Sequence, residues 1–297
     1  MLPQKTMLSQ QLTERTYWDS VHRGSGGGHP EAASTALDTS AGKRLKILIK
    51  RVLGPAFTEA IGNYDDYLLW NIILPRFLKD RAGQSVVEIG SAPGDFLVAV
   101  HQRFGLIPYG IEYSPVGAEL NRRAFENSGL DPDHVIEADV LAPEAHTQYR
   151  EFFDVVVSRG FIEHFTDPAE VIARHLSLLK PRGLLIVGIP NLRGMNRLLS
   201  LIFDRQVVAM HNLNIMTRDR LAALFPNDLV TPLFCNYYGT FNIRLISARP
   251  TSSLRFLLAL CWKIQPALNV TFRFLFGQRG AESRWFSSNL LFVGIKL

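Results

Sequence analysis

Hydrophobic positions along this chain keep two alternating rhythms through its middle. Short apolar runs rich in β-branched residues are each followed by stretches with apolar residues three and four apart. The runs predict strands at 85–89, 106–112, 134–138, 153–158 and 184–189. The stretches between them predict helices from about 95 to 103, from the Ser114-Pro115 start, and from Thr166-Asp167-Pro168 to residue 179. That alternation requires an α/β fold with a doubly wound parallel sheet. Upstream, 64–78 reads as a helix carrying Tyr67, Leu68, Trp70, Ile72 and Leu74, kinked or restarted at Pro75. Downstream, 196–203 and 219–225 read as helices, a sixth strand falls within 229–243, and 289–296 makes a seventh.

The rhythm is interrupted in three places. Residues 1–40 are polar and contain Gly24-Ser25-Gly26-Gly27-Gly28, which predicts a flexible arm with one anchor at Tyr17-Trp18. Residues 42–53 set Leu45, Leu48, Ile49 and Val52 among Lys43, Arg44, Lys46, Lys50 and Arg51. This pattern predicts a basic amphipathic helix, either docked with its basic face in water or laid against an anionic surface. Residues 253–280 are strongly apolar but punctuated by Arg255, Lys263, Arg273 and Arg279 and broken by Pro266, which argues against a bilayer span. Two short helices forming an insertion (about 250–284) over the mouth of a site are expected there. A membrane-surface hairpin giving access to a lipid-like molecule is the alternative. The remainder divides into an arm (1–40) and one domain (41–297), with a core at 80–191 and a variable region at 192–297.

Composition changes this picture little. The 297 residues are 47% apolar and 20% charged, enough for a full core and unlike a disordered chain. A net charge of +5 permits an anionic partner without implying nucleic acid. The cations sit on amphipathic segments and show no aromatic-basic interleaving, so no nucleic-acid partner is expected. Cys235 and Cys261 are too few for a disulfide framework, and with no apolar leader at the start a cytoplasmic protein is expected, with peripheral contact at the inner face of the membrane as a second expectation.

The candidate chemistry begins at Val86-Val87-Glu88-Ile89-Gly90-Ser91-Ala92-Pro93-Gly94-Asp95-Phe96. A strand ending in an acid, a glycine turn and a helix start form the place where α/β sheets bind nucleotides. Gly90 and Gly94 let the backbone approach a ligand closely. A P-loop would need Lys-Ser or Lys-Thr where Asp95-Phe96 stand. A dinucleotide site would want a third glycine, and its pyrophosphate would be repelled by Glu88 and Asp95. Two carboxylates suit a cationic ligand that carries a ribose. Glu112 closes the second strand 22 positions after Gly90, near the offset at which an acid reaches ribose hydroxyls.

The stretch resembles motif I, E-x-G-x-x-x-G, of the class I S-adenosylmethionine-dependent methyltransferases. Further landmarks follow in order: Gly110-Ile111-Glu112-Tyr113, Ile136-Glu137-Ala138-Asp139-Val140, Ser158, Glu163-His164, Asp167-Pro168, Lys180-Pro181-Arg182-Gly183 and Pro190-Asn191. They resemble the ubiquinone-biosynthesis-type subgroup of those enzymes. The resemblance implies a Rossmann-like seven-stranded sheet and S-adenosyl-L-methionine as cofactor. It implies cofactor contacts at Glu88, Gly90, Ser91, Ala92, Gly94, Asp95, Phe96, Glu112, Tyr113, Ala138, Asp139, Val140 and Ser158. In that family an acid after the third strand accepts from the adenine amino group beside a backbone N–H, the places of Asp139 and Val140, and N-terminal segments can cover the cofactor.

Methyl transfer from a sulfonium needs alignment of the reactants and exclusion of water. An oxygen acceptor must also lose a proton, so a general base is expected. His164 is the best-placed imidazole, oriented by Glu163, with His211 as a second candidate. Some relatives bind a metal through two Glu and the His of this loop. Here Gly160 replaces the first Glu, so no metal is expected. The acceptor is expected to be a small or lipid- or glycan-linked molecule. A nicotinamide-dependent oxidoreductase, an RNA methyltransferase and a silent membrane scaffold are the alternatives.

Overall fold

The computed structural model describes residues 11–25, 62–142, 147–246 and 254–297. The basic helix expected at 42–53 lies outside them. One seven-stranded sheet has the order β3-β2-β1-β4-β5-β7-β6. Its strands are β1 (Ser85–Ile89), β2 (Ile107–Glu112), β3 (Val135–Glu137), β4 (Phe153–Arg159), β5 (Leu179–Pro190), β6 (Val230–Tyr238) and β7 (Asn289–Lys296). The first five are parallel, and β7 enters antiparallel between β5 and β6. Strand order reverses between β1 and β4, which opens a crevice at their carboxyl ends.

The β-branched runs form central strands because both faces are covered. Alternate side chains serve opposite layers. Val87, Ile89 and Val156 pack on Val171, Ile172 and Leu176 of α6 (Ala169–Leu178). Val86, Val155 and Val157 pack on Phe96, Leu97 and Val100 of α4 (Asp95–Phe104) and Phe125 of α5 (Pro115–Asn127). Ser114 caps α5 by accepting from Gly117 N–H at 3.1 Å.

The helix expected at 64–78 exists in pieces: α2 (Tyr64–Leu68), a π turn (Leu69–Ile73) and α3 (Pro75–Leu78). Leu74 N–H reaches back to Leu69 O at 2.9 Å, and the helix restarts with proline in its first position, where no donor is needed. The region after β5 forms α7 (Gly194–Phe203), α8 (Arg205–Ala209) and α9 (Arg218–Ala222).

Three expectations are corrected. Within the arm expected to be flexible, residues 15–25 form helix α1 (Arg15–Ser25), which is packed against α5 and the crevice. The fifth strand begins at Leu179 rather than 184, because the Lys180–Gly183 turn sits inside it as an irregularity. There the pairing steps from Phe153↔Leu179 to Val155↔Leu184, and Arg182 takes φ 62°. The two short helices expected on either side of Pro266 are one helix, α10 (Arg255–Phe276). A proline withholds one donor but has a helical φ. Buried Leu258 and Gln265 before it and Asn269 after it keep both halves on one packed stripe.

Candidate functional site

A cavity of about 430 Å³ opens over the carboxyl ends of β1, β2, β4 and β5. Glu88 and Glu112 stand at one end, with Glu163, His164 and His211 at the other. Arg159, Phe161 and Tyr238 line it between strands, and Trp18 of α1 lines it from outside the sheet. A second hollow, about 530 Å³, lies beside Arg150, Arg174 and Lys296 at the amino ends of the strands, the wrong edge for a ligand of this fold.

At the acidic end, Glu112 is 4% exposed. Its Oε1 accepts from Ser114 N–H at 2.9 Å and its Oε2 from Ala92 N–H at 3.3 Å. These bonds aim the carboxylate along the turn and leave a lone pair on each oxygen for a pair of hydroxyls. Burial nevertheless pushes its pKa up. Glu88 is also buried, and desolvation raises its pKa to about 7 against the pull of Arg159. Arg159 Nε donates to Glu88 Oε1 at 3.0 Å, and the guanidinium lies on the Phe96 ring at 3.8 Å. A Cβ on Gly90, at φ 72°, would stand 3.0 Å from the Phe161 ring. A side chain there would push into the crevice wall as well as strain the turn.

At the other end, His164 Nδ1 lies 3.0 Å from Met210 O, and His211 Nδ1 lies 2.6 Å from Val207 O. A carbonyl can only accept, so each Nδ1 carries the proton and each neutral ring leaves Nε2 bare. The rings are 4.5 Å apart between centroids. Burial, and next His211, lower the His164 pKa to about 3, and burial lowers that of His211. Glu163 is fully buried, neither carboxylate oxygen has a hydrogen-bond partner, and desolvation raises its pKa to about 8. Its Oε1 lies 4.0 Å from His164 Nε2. At neutral pH this corner therefore holds a protonated carboxyl beside two neutral imidazoles. Ligand atoms of Glu163, His164 and His211 lie within 4.8 Å of one another, a donor set that fits a cation. Imidazoles fixed through their second nitrogen on backbone carbonyls are the arrangement metal ligands adopt.

Residues 11–25 tie the two ends together. Leu12 N–H donates to His164 O at 2.7 Å, Gln11 bridges Phe165, and Gln11 Nε2 donates to Tyr113 Oη at 3.4 Å. Asp19 accepts from the Ser114 hydroxyl. The Trp18 ring stands edge-on to His164 at 5.1 Å. The anchor expected at Tyr17-Trp18 is thus part of the site wall.

Of the sequence-predicted residues, Glu88, Gly90, Ala92, Glu112, Tyr113, Glu163, His164 and His211 share the cavity lining. The others lie outside it. Ser91 Oγ accepts from Asn121 Nδ2 at 2.6 Å, away from the crevice. Gly94 starts α4 at φ 101° and packs under Asn121, Asp95 is exposed in the next position, and Phe96 supports Arg159 from below. Ala138 N–H donates to Glu112 O at 3.1 Å, Asp139 Oδ1 accepts from Leu141 N–H at 2.8 Å, and Val140 is core. Ser158 is buried with an unpartnered hydroxyl. Arg159 was missed from sequence; its signal is a lone cation closing a β-branched run.

Residues 63–227, more than half the chain, match the family described as a methyltransferase domain. A ubiquinone biosynthesis O-methyltransferase of Stutzerimonas stutzeri is 37% identical over 103 residues, 34% of this chain and 42% of that protein. The same-named protein of Rhodopseudomonas palustris is 30% identical over 39% of this chain and 44% of that protein. The chain thus spans under half the length of those two relatives. The solved structure of MccD protein superposes with a TM-score of 0.51 at 12% identity, over 79% of this chain and 96% of that one. The chain belongs to the methyltransferase family, with the class I fold and S-adenosylmethionine as cofactor, which sets the oxidoreductase alternative aside.

Proposed function

We propose that this methyltransferase moves a methyl group from S-adenosylmethionine to an oxygen of a small-molecule or lipid- or glycan-linked acceptor. The observation carrying this reading is the polarity of one cavity, with buried carboxylates and a guanidinium at one end and uncharged imidazoles at the other. When bound, S-adenosylmethionine supplies an electrophilic methyl on a sulfonium. Glu112 would accept from the ribose hydroxyls. Glu88 and Arg159 offer opposite charges to the amino and carboxylate groups of the methionyl end. Asp139, which lies outside the cavity lining but near Tyr113, and the Val140 N–H would meet an adenine that extends past Tyr113. Trp18 and Phe161 exclude water from the space between the two ends.

Once Glu163, 4.0 Å from His164 Nε2, has released its own proton to solvent, His164 would accept the acceptor's hydroxyl proton on Nε2, and the Glu163 carboxylate would stabilise the imidazolium. The two groups then titrate as a pair. His211 borders the acceptor. Residues 41–297 act as one domain, with 192–297 forming the acceptor side, in a cytoplasmic protein with no nucleic-acid partner. The direct test incubates the protein with methyl-labelled S-adenosylmethionine and whole-cell lipid and glycan extracts. Label in an alkali-stable ether would support the reading. An absence of calorimetric binding to S-adenosylhomocysteine would end it.

A second reading rests on the same corner. Glu163, His164 and His211 would hold a divalent cation that polarises the acceptor oxygen. Because Gly160 supplies no further carboxylate, we favour the metal-free reading. Full activity after exhaustive chelation supports it, and loss restored by magnesium or zinc selects the second.

A further inference from the structure

Two helices of the acceptor side are apolar on their outer faces as well as on their inner ones. In α7 the buried residues include Asn196 and Ser200, while Met195, Leu198 and Ile202 are 48%, 60% and 51% exposed on one stripe. In α10 the buried stripe carries Gln265 and Asn269, hydrogen-bonded to each other at 2.9 Å. Its outer stripe carries Phe256, Leu260, Ile264 and Phe274, and Phe256 and Phe274 are 80% and 87% exposed. Helical spacing puts these four within one face. The two helices meet through Phe203 and Leu199 of α7 and Leu258 and Trp262 of α10. Exposed Trp285 adjoins α7, its carbonyl accepting from Met195 N–H at 2.9 Å. A helix that exposes a broad apolar outer stripe in addition to its packed inner one is built for a surrounding other than water.

Charge narrows the choice of surrounding. From residue 229 to 281 the chain has no Asp or Glu, yet carries Arg244, Arg249, Arg255, Lys263, Arg273 and Arg279. Helix α7 adds Arg197 and no acid, and Arg193 precedes it. A protein partner would be expected to meet mixed charges on this face, whereas exposed aromatics beside the exposed cations Arg244, Lys263 and Arg279, in a segment without acids, match an anionic lipid surface; Arg273 lies against the Tyr67 ring instead. Among the described residues no helix is long and apolar enough to cross a membrane. We propose that the outer faces of α7 and α10 dock this protein on an anionic bilayer, lying in the headgroup region. The mouth of the cavity lies close by: Leu245, in its wall, belongs to the turn Ile243–Leu245, and Trp262 of α10 donates to Ile243 O at 3.3 Å. Docking through α10 would therefore bring the cavity wall at Leu245 near the lipid.

The test is co-sedimentation of the full chain with vesicles of phosphatidylcholine alone and of phosphatidylcholine mixed with phosphatidylglycerol. The wild type binds the mixed vesicles, and binding weakens as salt is raised. The double variant Phe256→Glu and Phe274→Glu loses about tenfold or more in vesicle affinity with an unchanged thermal melt, since both side chains are solvent-facing. Leu198→Glu acts the same way from α7. Equal binding by wild type and variants, as would follow if residues 42–53 held the membrane alone, overturns the proposal. So does failure of the wild type to bind, indifference to phosphatidylglycerol, or a wild-type dimer in sedimentation velocity that the double variant makes monomeric.

Discussion

Arg159 and Glu88 lie 71 residues apart in sequence and on adjacent parallel strands, and they meet at 3.0 Å on the floor of the crevice. The guanidinium is fixed from beneath by the Phe96 ring and uses Nε for the carboxylate. Burial alone would keep Glu88 protonated, and Arg159 opposes that.

Replacing Arg159 by Met should therefore weaken S-adenosylhomocysteine by about 10–100-fold in calorimetry, the worth of a hydrogen bond to a charged group. Its pH dependence is a sharper readout. The anionic form of Glu88 is the one that holds an ammonium, and its pKa is raised to about 7, so wild-type affinity should rise between pH 6 and 8. Without Arg159 that pKa goes higher still, and the rise should move to more alkaline pH. An unchanged profile would place the methionyl end elsewhere.

Glu112→Gln keeps the shape of the side chain but loses its charge. Cofactor affinity should fall about tenfold, and about a hundredfold for Glu112→Ala, which also strands the Ser114 and Ala92 amides. At saturating cofactor, kcat should stay within about threefold of wild type, because the ribose contact is uniform binding.

His164→Asn should cut kcat by about a hundredfold to ten-thousandfold while leaving S-adenosylhomocysteine affinity nearly intact. His211→Phe should act mainly on the KM of the acceptor. Steady-state kinetics with an identified acceptor separates the two; equal, small losses in both would remove the general-base role.

Glu163 makes a prediction about stability. Its folded pKa is raised to about 8 from 4.5, so the folded state binds its proton more tightly than the unfolded chain does. The resulting stabilisation is complete below pH 4.5 and is lost as pH rises through about 8. His164, lowered to about 3, and His175, lowered to about 4, act oppositely. Their stabilisation is present above pH 6.5 and is lost as pH falls toward those values. Thermal melts of the unliganded protein should show Glu163→Gln gaining on wild type by about 1–3 kcal/mol at pH 9, with little difference at pH 5. A constant offset across pH would show that the carboxyl does not titrate in this window.

Local patterning carried much of this fold to the reader of the sequence. Strands at 85–89 and 289–296 begin and end where their apolar runs do. The acids closing β1 and β2 were legible because a charge at the end of an apolar strand has few purposes. Long-range relations were not. His164 and His211 come from separate elements whose spacing says nothing of their 4.5 Å approach. Arg159 drew no reading from the sequence, because its role depends on Phe96 and Glu88, which only the fold brings to it. Helix α1 has a polar sequence whose docking depends on Asp19 finding Ser114 and Leu12 finding His164. The length of α10 was hidden because proline is read as a stop, while the stripe that overrides it has polar members, Gln265 and Asn269.

The strap formed by residues 11–25 is fastened at Tyr113 and Ser114 beyond β2 and at His164 and Phe165 beyond β4. A single short peptide thus spans the ends of the crevice like a hasp. Turnover requires a spent nucleoside to leave and a fresh one to enter past it. If the nucleoside passes beneath this strap, release of Leu12, Gln11 and Asp19 together would set the pace of exchange, a rate belonging to the peptide rather than to the nucleoside.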